Sequence, residues 1–217
     1  MHIPDGFLDA GTLAATAVVS AATLGYALKR TGRELEERQI PLMGVVSAFV
    51  FAAQMLNFPV VGGTSGHLLG GVIAAVLLGP WAGSLVMATV LIVQCLVFQD
   101  GGLLALGANI FNMAVLGTIG GYLVYQALGL LLKHNPLAQA AGAAWFSVVT
   151  AAAACSLELA VSGISPLPVV LPAMLGVHAL IGIGEASITT VVLSVVWKTR
   201  PDLLESRFTF RPVSGKA

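Results

Sequence analysis

The sequence predicts an all-α integral membrane protein with seven transmembrane helices, its N-terminus outside and tucked back into the bundle, its C-terminus cytoplasmic. Three observations carry that reading. Of 217 residues, 57% are hydrophobic and only 9% are charged, where a soluble domain has about 25% charged residues. Mean hydropathy is +0.93, so the chain lacks the polar groups to cover its outside and lipid is its natural solvent. Finally, the charges are grouped on one side of the apolar runs, as in a multi-pass chain.

The apolar runs are Gly11–Leu28, Ile40–Leu56, Leu68–Leu78, Trp81–Phe98, Leu103–Leu132, Leu137–Val161 and Leu171–Trp197. Most reach the ~20 residues that a helix needs to cross ~30 Å of hydrocarbon. Leu68–Leu78 does not, rising only about 17 Å as a helix. It either borrows from the loop before it or is a partial span buried by its neighbours. Charge decides the count. Lys29, Arg30, Arg33 and Arg38 follow the first run, Lys133 the fifth, and Lys198, Arg200, Arg207, Arg211 and Lys216 the seventh. If the third run crosses, every basic residue falls on one side, and the positive-inside tendency makes that side cytoplasmic. Residues 1–198 then form one membrane domain with a metal-binding tip at its start, and 199–217 a cytoplasmic tail. The chain is read as multi-pass in the cell (inner) membrane.

Several function classes recede at this stage. Formal net charge is +0, so no bulk attraction to nucleic acid is implied. Cys95 and Cys155 sit in apolar runs without metal-binding spacing and read as small core residues. No phosphate-binding GxxxxGK[ST] pattern occurs, so uphill transport would draw on a partner or an ion gradient. The start lacks a basic n-region, and Met1 is read as the mature first residue. His2, being large, disfavours removal of Met1.

The predicted outer loops are the N-terminal tip, Asn57–His67, Gln99–Gly102 and Ser162–Pro168. They carry Asp5, Asp9 and Asp100 but no Lys or Arg, a face that attracts cations. "MHIPDGFLD" opens the chain. The α-amine, the Met1–His2 amide nitrogen once deprotonated, and the His2 imidazole close two fused chelate rings nearly in one plane. A fourth nitrogen completes a square, the geometry of Ni(II) or Cu(II); Co(II) is conceivable, and tetrahedral Zn(II) fits worse. Pro4-Asp5-Gly6 has turn chemistry that redirects the tip into the protein. His67, in "GGTSGHLLGG", lies on the same side and supplies the fourth donor, with Thr64 or Ser65 placed to fix its tautomer. Gln54 and Asn57 stand beside it, placed either to line the entrance or to hydrogen-bond the tip.

These stretches carry a resemblance. "MHIPDGFL" at the start, "VVGGTSGHLLGG" at 60–71, "GANIFNMA" at 107–114 and "GVHALIGIGEASIT" at 176–189 resemble the NikM/CbiM family, the substrate-binding membrane subunits of energy-coupling-factor importers for nickel and cobalt. The similarity runs to about Trp197. It implies import of Ni(II) or Co(II), a site built from Met1, His2 and His67, and no enzymatic activity. It also implies partners: a transmembrane coupling subunit, a pair of cytoplasmic ATPases and a small accessory membrane subunit. At the three site positions the sequence keeps the family pattern.

His178 and Glu185 share one face of the seventh run at i, i+7, and Glu158, Asn109 and Asn112 are further polar groups in apolar surroundings. Their plain role is a hydrogen-bond network between helices. The alternative is support of the metal site, or a path for it, with His178 and Glu158 as a pair. On that alternative the chain would be a self-sufficient proton-coupled metal transporter using His178 and Glu185. A metalloenzyme fits poorly, because four nitrogens in a square leave no equatorial position for substrate.

Overall fold

Helix α1 (Ala10–Glu34) begins where Asp9 accepts hydrogen bonds from the Gly11 and Thr12 N–H groups, satisfying two of the donors that a helix start leaves open. The structure is a computed structural model and describes residues 1–35, 37–56, 58–60, 64–132 and 135–204, with the side chains of 38, 58–60, 64 and 65 excepted. Of the expected tail, residues 205–217 lie outside the described residues, as do Asn57 and His134.

After a short 3-10 turn, α2 (Ile40–Gln54) starts with proline in its first turn, where a missing N–H costs nothing. Two three-residue strands follow, β1 (Phe58–Val60) and β2 (Thr64–Gly66), paired antiparallel with Phe58 opposite Gly66. This hairpin is the departure from an all-helical chain; it occupies a stretch read from the sequence as loop. Helix α3 (Gly71–Leu78) has eight residues, all buried. It is the short third run, and its neighbours enclose it as a partial span requires. Gly79 then turns the chain at φ 87° into α4 (Pro80–Phe98).

The fifth run is α5 (Leu106–Ile110), a π-helical segment (Phe111–Gly120) and α6 (Gly121–Leu131) in unbroken succession. In the π segment Thr118 Oγ1 donates to the Met113 carbonyl at 2.9 Å. Helices α7 (Pro136–Val161) and α8 (Leu167–Thr199) form an extensive antiparallel pair, linked by Trp145 Nε1–H donating to the Ala179 carbonyl at 3.0 Å.

Among the described residues, five helical runs are long and apolar enough to cross a membrane: Ala10–Glu34, Pro80–Phe98, Leu106–Leu131, Pro136–Val161 and Leu167–Thr199, with Ile40–Gln54 a shorter apolar helix. Their outward faces are apolar: Leu131 is 78% exposed, Val161 76% and Leu180 71%. Contacts sort the ends of the segments. Asp9 accepts from Ser162 Oγ, and Asp5 from the start of the fifth run, so these gather at one end. At the other end, Thr31, Glu34 and Gln39 share a small cavity with Leu78–Ala82. The third segment therefore finishes at this second end.

Candidate metal centre

The tip of the chain is folded into the bundle. Met1 and Ile3 are 0% exposed and His2 5%. Buried backbone needs partners, and the tip finds them. Ile3 N–H donates to Asn109 Oδ1 at 2.8 Å, while Asn109 Nδ2 and the Gly102 N–H donate to the Ile3 carbonyl at 3.1 and 2.9 Å. Asp5 accepts from the N–H groups of Leu103, Leu104 and Ala105 at 3.0, 2.8 and 3.1 Å. These are open donors at the head of α5, where negative charge is favoured. Asp5, expected in a supporting or entrance role beside the site, bolts the tip to the fifth run. The turn expected at Pro4-Asp5-Gly6 is present, with Gly6 at φ 86°.

Each histidine here has one nitrogen engaged and one free. His2 Nε2 lies 3.0 Å from Gln94 Oε1. A carbonyl oxygen only accepts, so Nε2 carries the proton and Nδ1 keeps its lone pair. Nδ1 has no hydrogen-bond partner among the described residues; the Asp100 carboxylate stands 3.5 Å away. The Nδ1 atom is the one that closes a chelate ring with the residue's own amide nitrogen. His67, 0% exposed, donates from Nδ1 to the Leu68 carbonyl at 2.7 Å, leaving Nε2 without a partner among the described residues. The Leu68 carbonyl thus fixes the tautomer; the side chains of Thr64 and Ser65, expected in that role, lie outside the described residues. The two rings stack with centroids 4.5 Å apart and planes at 28°.

Electrostatics favours the donor forms. Burial pushes the Met1 amine down to about 5, against smaller opposing effects of Cys155 and Asp100. Burial, then the neighbouring amine, lowers His2 to about 4. His67 is held well below its ordinary value by burial, then by the amine and His2, with a lesser contribution from His178. At neutral pH the cluster is a set of uncharged nitrogen bases, the state that metal coordination needs. Among the described residues, no three His, Cys, Asp or Glu side chains form a metal-binding group. Besides the two imidazoles, the Met1 amine and the His2 amide offer two main-chain nitrogen atoms. The donor set present fits a planar nitrogen site.

The stem between His67 and α3 is held from two sides. Gln54, 0% exposed, donates to the Leu69 carbonyl at 2.7 Å and touches Met87 Sδ. It was expected to line the entrance or bond the tip; it is an anchor inside the bundle, because a buried amide must find a partner. From α8, Glu185 accepts from the Leu69 N–H at 2.8 Å and the Gly70 N–H at 2.6 Å. Gly70 sits at φ 74°, a conformation that favours glycine.

His178 donates from Nδ1 to the Met174 carbonyl at 2.8 Å, and its Nε2 has no partner among the described residues. Glu158 accepts from Asn112 Nδ2 at 2.6 Å. The expected His178–Glu158 pair is therefore not formed: each side chain is engaged within its own surroundings. His178 and Glu185 also have separate partners. Gln94 escaped the sequence reading. Its signal was a lone amide inside an otherwise apolar span, which in lipid must have a partner.

A family model described as the cobalt uptake substrate-specific transmembrane region, CbiM, matches residues 2–203. A protein of Archaeoglobus fulgidus, provisionally named fused nickel transport protein NikMN, is 46% identical over 211 residues, which are 95% of this chain and 69% of that protein. The fused nickel transport protein NikMN of Rhodobacter capsulatus is 34% identical over 224 residues, 95% of this chain and 65% of that protein. A Methanococcus voltae protein provisionally named cobalt transport protein CbiM is 30% identical over 216 residues, covering 94% and 95%. A crystal structure of a transition metal transporter superposes with a TM-score of 0.86 at 37% identity, over 91% of this chain and 93% of that one. These relatives are named as transport proteins, not as enzymes.

Proposed function

The chain belongs to the CbiM family of cobalt uptake substrate-specific transmembrane regions, and from that premise we propose that it captures Ni(II), or Co(II), on the extracytoplasmic side for an ATP-driven energy-coupling-factor importer. The Met1 amine, the His2 amide nitrogen, His2 Nδ1 and His67 Nε2 are the four donors. One observation carries this reading: the free nitrogens of His2 and His67 belong to stacked rings 4.5 Å apart, packed with a buried N-terminal residue.

The chemistry follows from the donors. A cation reaching the acidic outer face meets neutral nitrogens, so no proton has to leave the amine or the rings at pH 7. The amide nitrogen binds only after losing its proton, so each captured ion releases one. Planar nitrogen donation suits Ni(II), and the names of the nickel-transporting relatives point the same way.

The rest of the assembly is part of the same proposal. Seven segments cross the inner membrane, with residues 1–198 as the membrane domain, the tip outside and 199–217 as a cytoplasmic tail. A coupling subunit, cytoplasmic ATPases and a small accessory membrane subunit supply the energy and the conformational drive.

The direct test is calorimetry in detergent. One glycine placed before Met1 moves His2 to third position and breaks the chelate. His67→Ala removes a donor. Each is expected to weaken Ni(II) binding more than about 100-fold, beyond the usual effect of losing a mere supporting group, while His134→Ala leaves it unchanged. Unaltered binding by the extended protein would remove the amine from the ligand set.

A further inference from the structure

The capture site rests on a residue far from it in sequence. Glu185 lies in the middle of α8, is 2% exposed, and places both carboxylate oxygens on consecutive backbone N–H groups, those of Leu69 and Gly70. The stem Leu68–Gly70 joins His67 to helix α3, and Gln54 holds its opposite edge through the Leu69 carbonyl. The Leu68 carbonyl in turn accepts from His67 Nδ1 and so sets the direction of Nε2. The chain of contact is short: carboxylate, two amides, one carbonyl, imidazole. Burying a carboxylate in a lipid-spanning helix is costly, and two plain backbone donors are a small return if the stem needed only to be folded; its amides are also the first open donors of α3.

We propose that Glu185 is the positioning residue for His67: it fixes the stem so that Nε2 meets the metal in the plane of the other three nitrogens. This rests on the capture site described above. It makes α8, which runs on for fourteen residues to Thr199, the element through which a partner at the far end reaches the metal. Displacing α8 draws the stem and releases the fourth ligand, which would convert a closed square into a weakly held three-donor chelate.

The experiment uses the purified full chain and Ni(II) alone. Wild type must bind Ni(II) and give the visible absorption band of a square-planar ion; failure there overturns the capture site itself. With wild type binding, Glu185→Gln and Glu185→Asp are expected to shift that band and to speed Ni(II) dissociation 10–100-fold, the range for groups that orient a metal ligand. Glu158→Gln, at another buried carboxylate bonded elsewhere, leaves both unchanged. Amide hydrogen exchange in the wild type serves if the Glu185 variants do not fold. Coupling is reciprocal, so Ni(II) should slow exchange at Leu69 and Gly70 by a comparable factor. Unchanged spectra and dissociation in folded variants, or unchanged exchange at both amides, overturns the proposal.

Discussion

At the scale of single residues, the site is set by which proton each nitrogen keeps. His2 and His67 are alike in composition and opposite in use: one offers Nδ1, the other Nε2, because Gln94 and the Leu68 carbonyl take the remaining nitrogen. Gln94→Leu removes the acceptor of the His2 Nε2 proton. It is expected to lower Ni(II) affinity about 10–100-fold, measured by calorimetry, and to cost about 1–3 kcal/mol of apo stability, because the buried Nε2–H loses its acceptor. The amine makes a second prediction. With the proposed ligand set, metal binding at the amide releases one proton, so affinity falls tenfold per pH unit on acidification. The amine, lowered from 8.0 to about 5 by burial, adds a second proton to that slope only below about pH 5. Titrations between pH 8 and 4 should therefore steepen near 5; steepening near 8 would mean an ordinary exposed amine. The sign for the apo protein is the same. A folded state that binds fewer protons than the unfolded one gains stability as pH rises from about 5 to 8.

At the scale of elements, the tip and the fifth run are mutually supporting. Asp5 closes the head of α5, and α5 gives the tip its backbone partners. Asp5→Ala is expected to cost about 1 kcal/mol of stability, a typical cap loss, and to weaken Ni(II) binding as the tip loosens. Thermal unfolding and calorimetry on one preparation check both. Gly102 belongs to the same joint. A Cβ there would collide with the Asp5 carboxylate and backbone nitrogen, so Gly102→Ala should reproduce the Asp5→Ala effects without removing the carboxylate. Helix α1 carries Ala17, Ala21 and Gly25 at four-residue spacing, a small-residue face that allows close helix contact. Ala17 faces Gly107, where a Cβ would meet the Ala17 Cα at 2.6 Å, whereas Gly25 has open space beside it. The part of this face at Ala17 is thus internal packing.

At the scale of the molecule, the direction of the chain across the membrane is the largest consequence of the proposed function. Ile164 is 43% exposed beside the tip's end of the bundle and Leu132 41% exposed at the opposite end. In intact cells, Ile164→Cys should react with a membrane-impermeant thiol reagent, and Leu132→Cys only after lysis. The reverse pattern would turn the protein over. Native Cys95 and Cys155 are buried and give little background.

Much of this was legible in the sequence because it depends on order along the chain. Segment positions follow from apolar runs, and the candidate donor at the tip from a histidine in second place. What the sequence left open was set by contacts between distant residues. Gln94 and Asn109 come to the tip only when α4 and α5 pack around it, and nothing local distinguishes them from other amides. Asp5 and Gln54 read as supporting or entrance groups beside the site and turned out to be anchors, since a polar side chain declares its partner only once burial forces it to find one. His178 and Glu158 matched in depth yet did not meet, because depth fixes one coordinate and a contact needs three. The sequence by itself marked out the apolar segments and named His2 and His67 as candidate donors; the tertiary structure decided which nitrogen of each histidine stays free and that a glutamate on α8 holds the stem, because hydrogen-bond partners are assigned by packing.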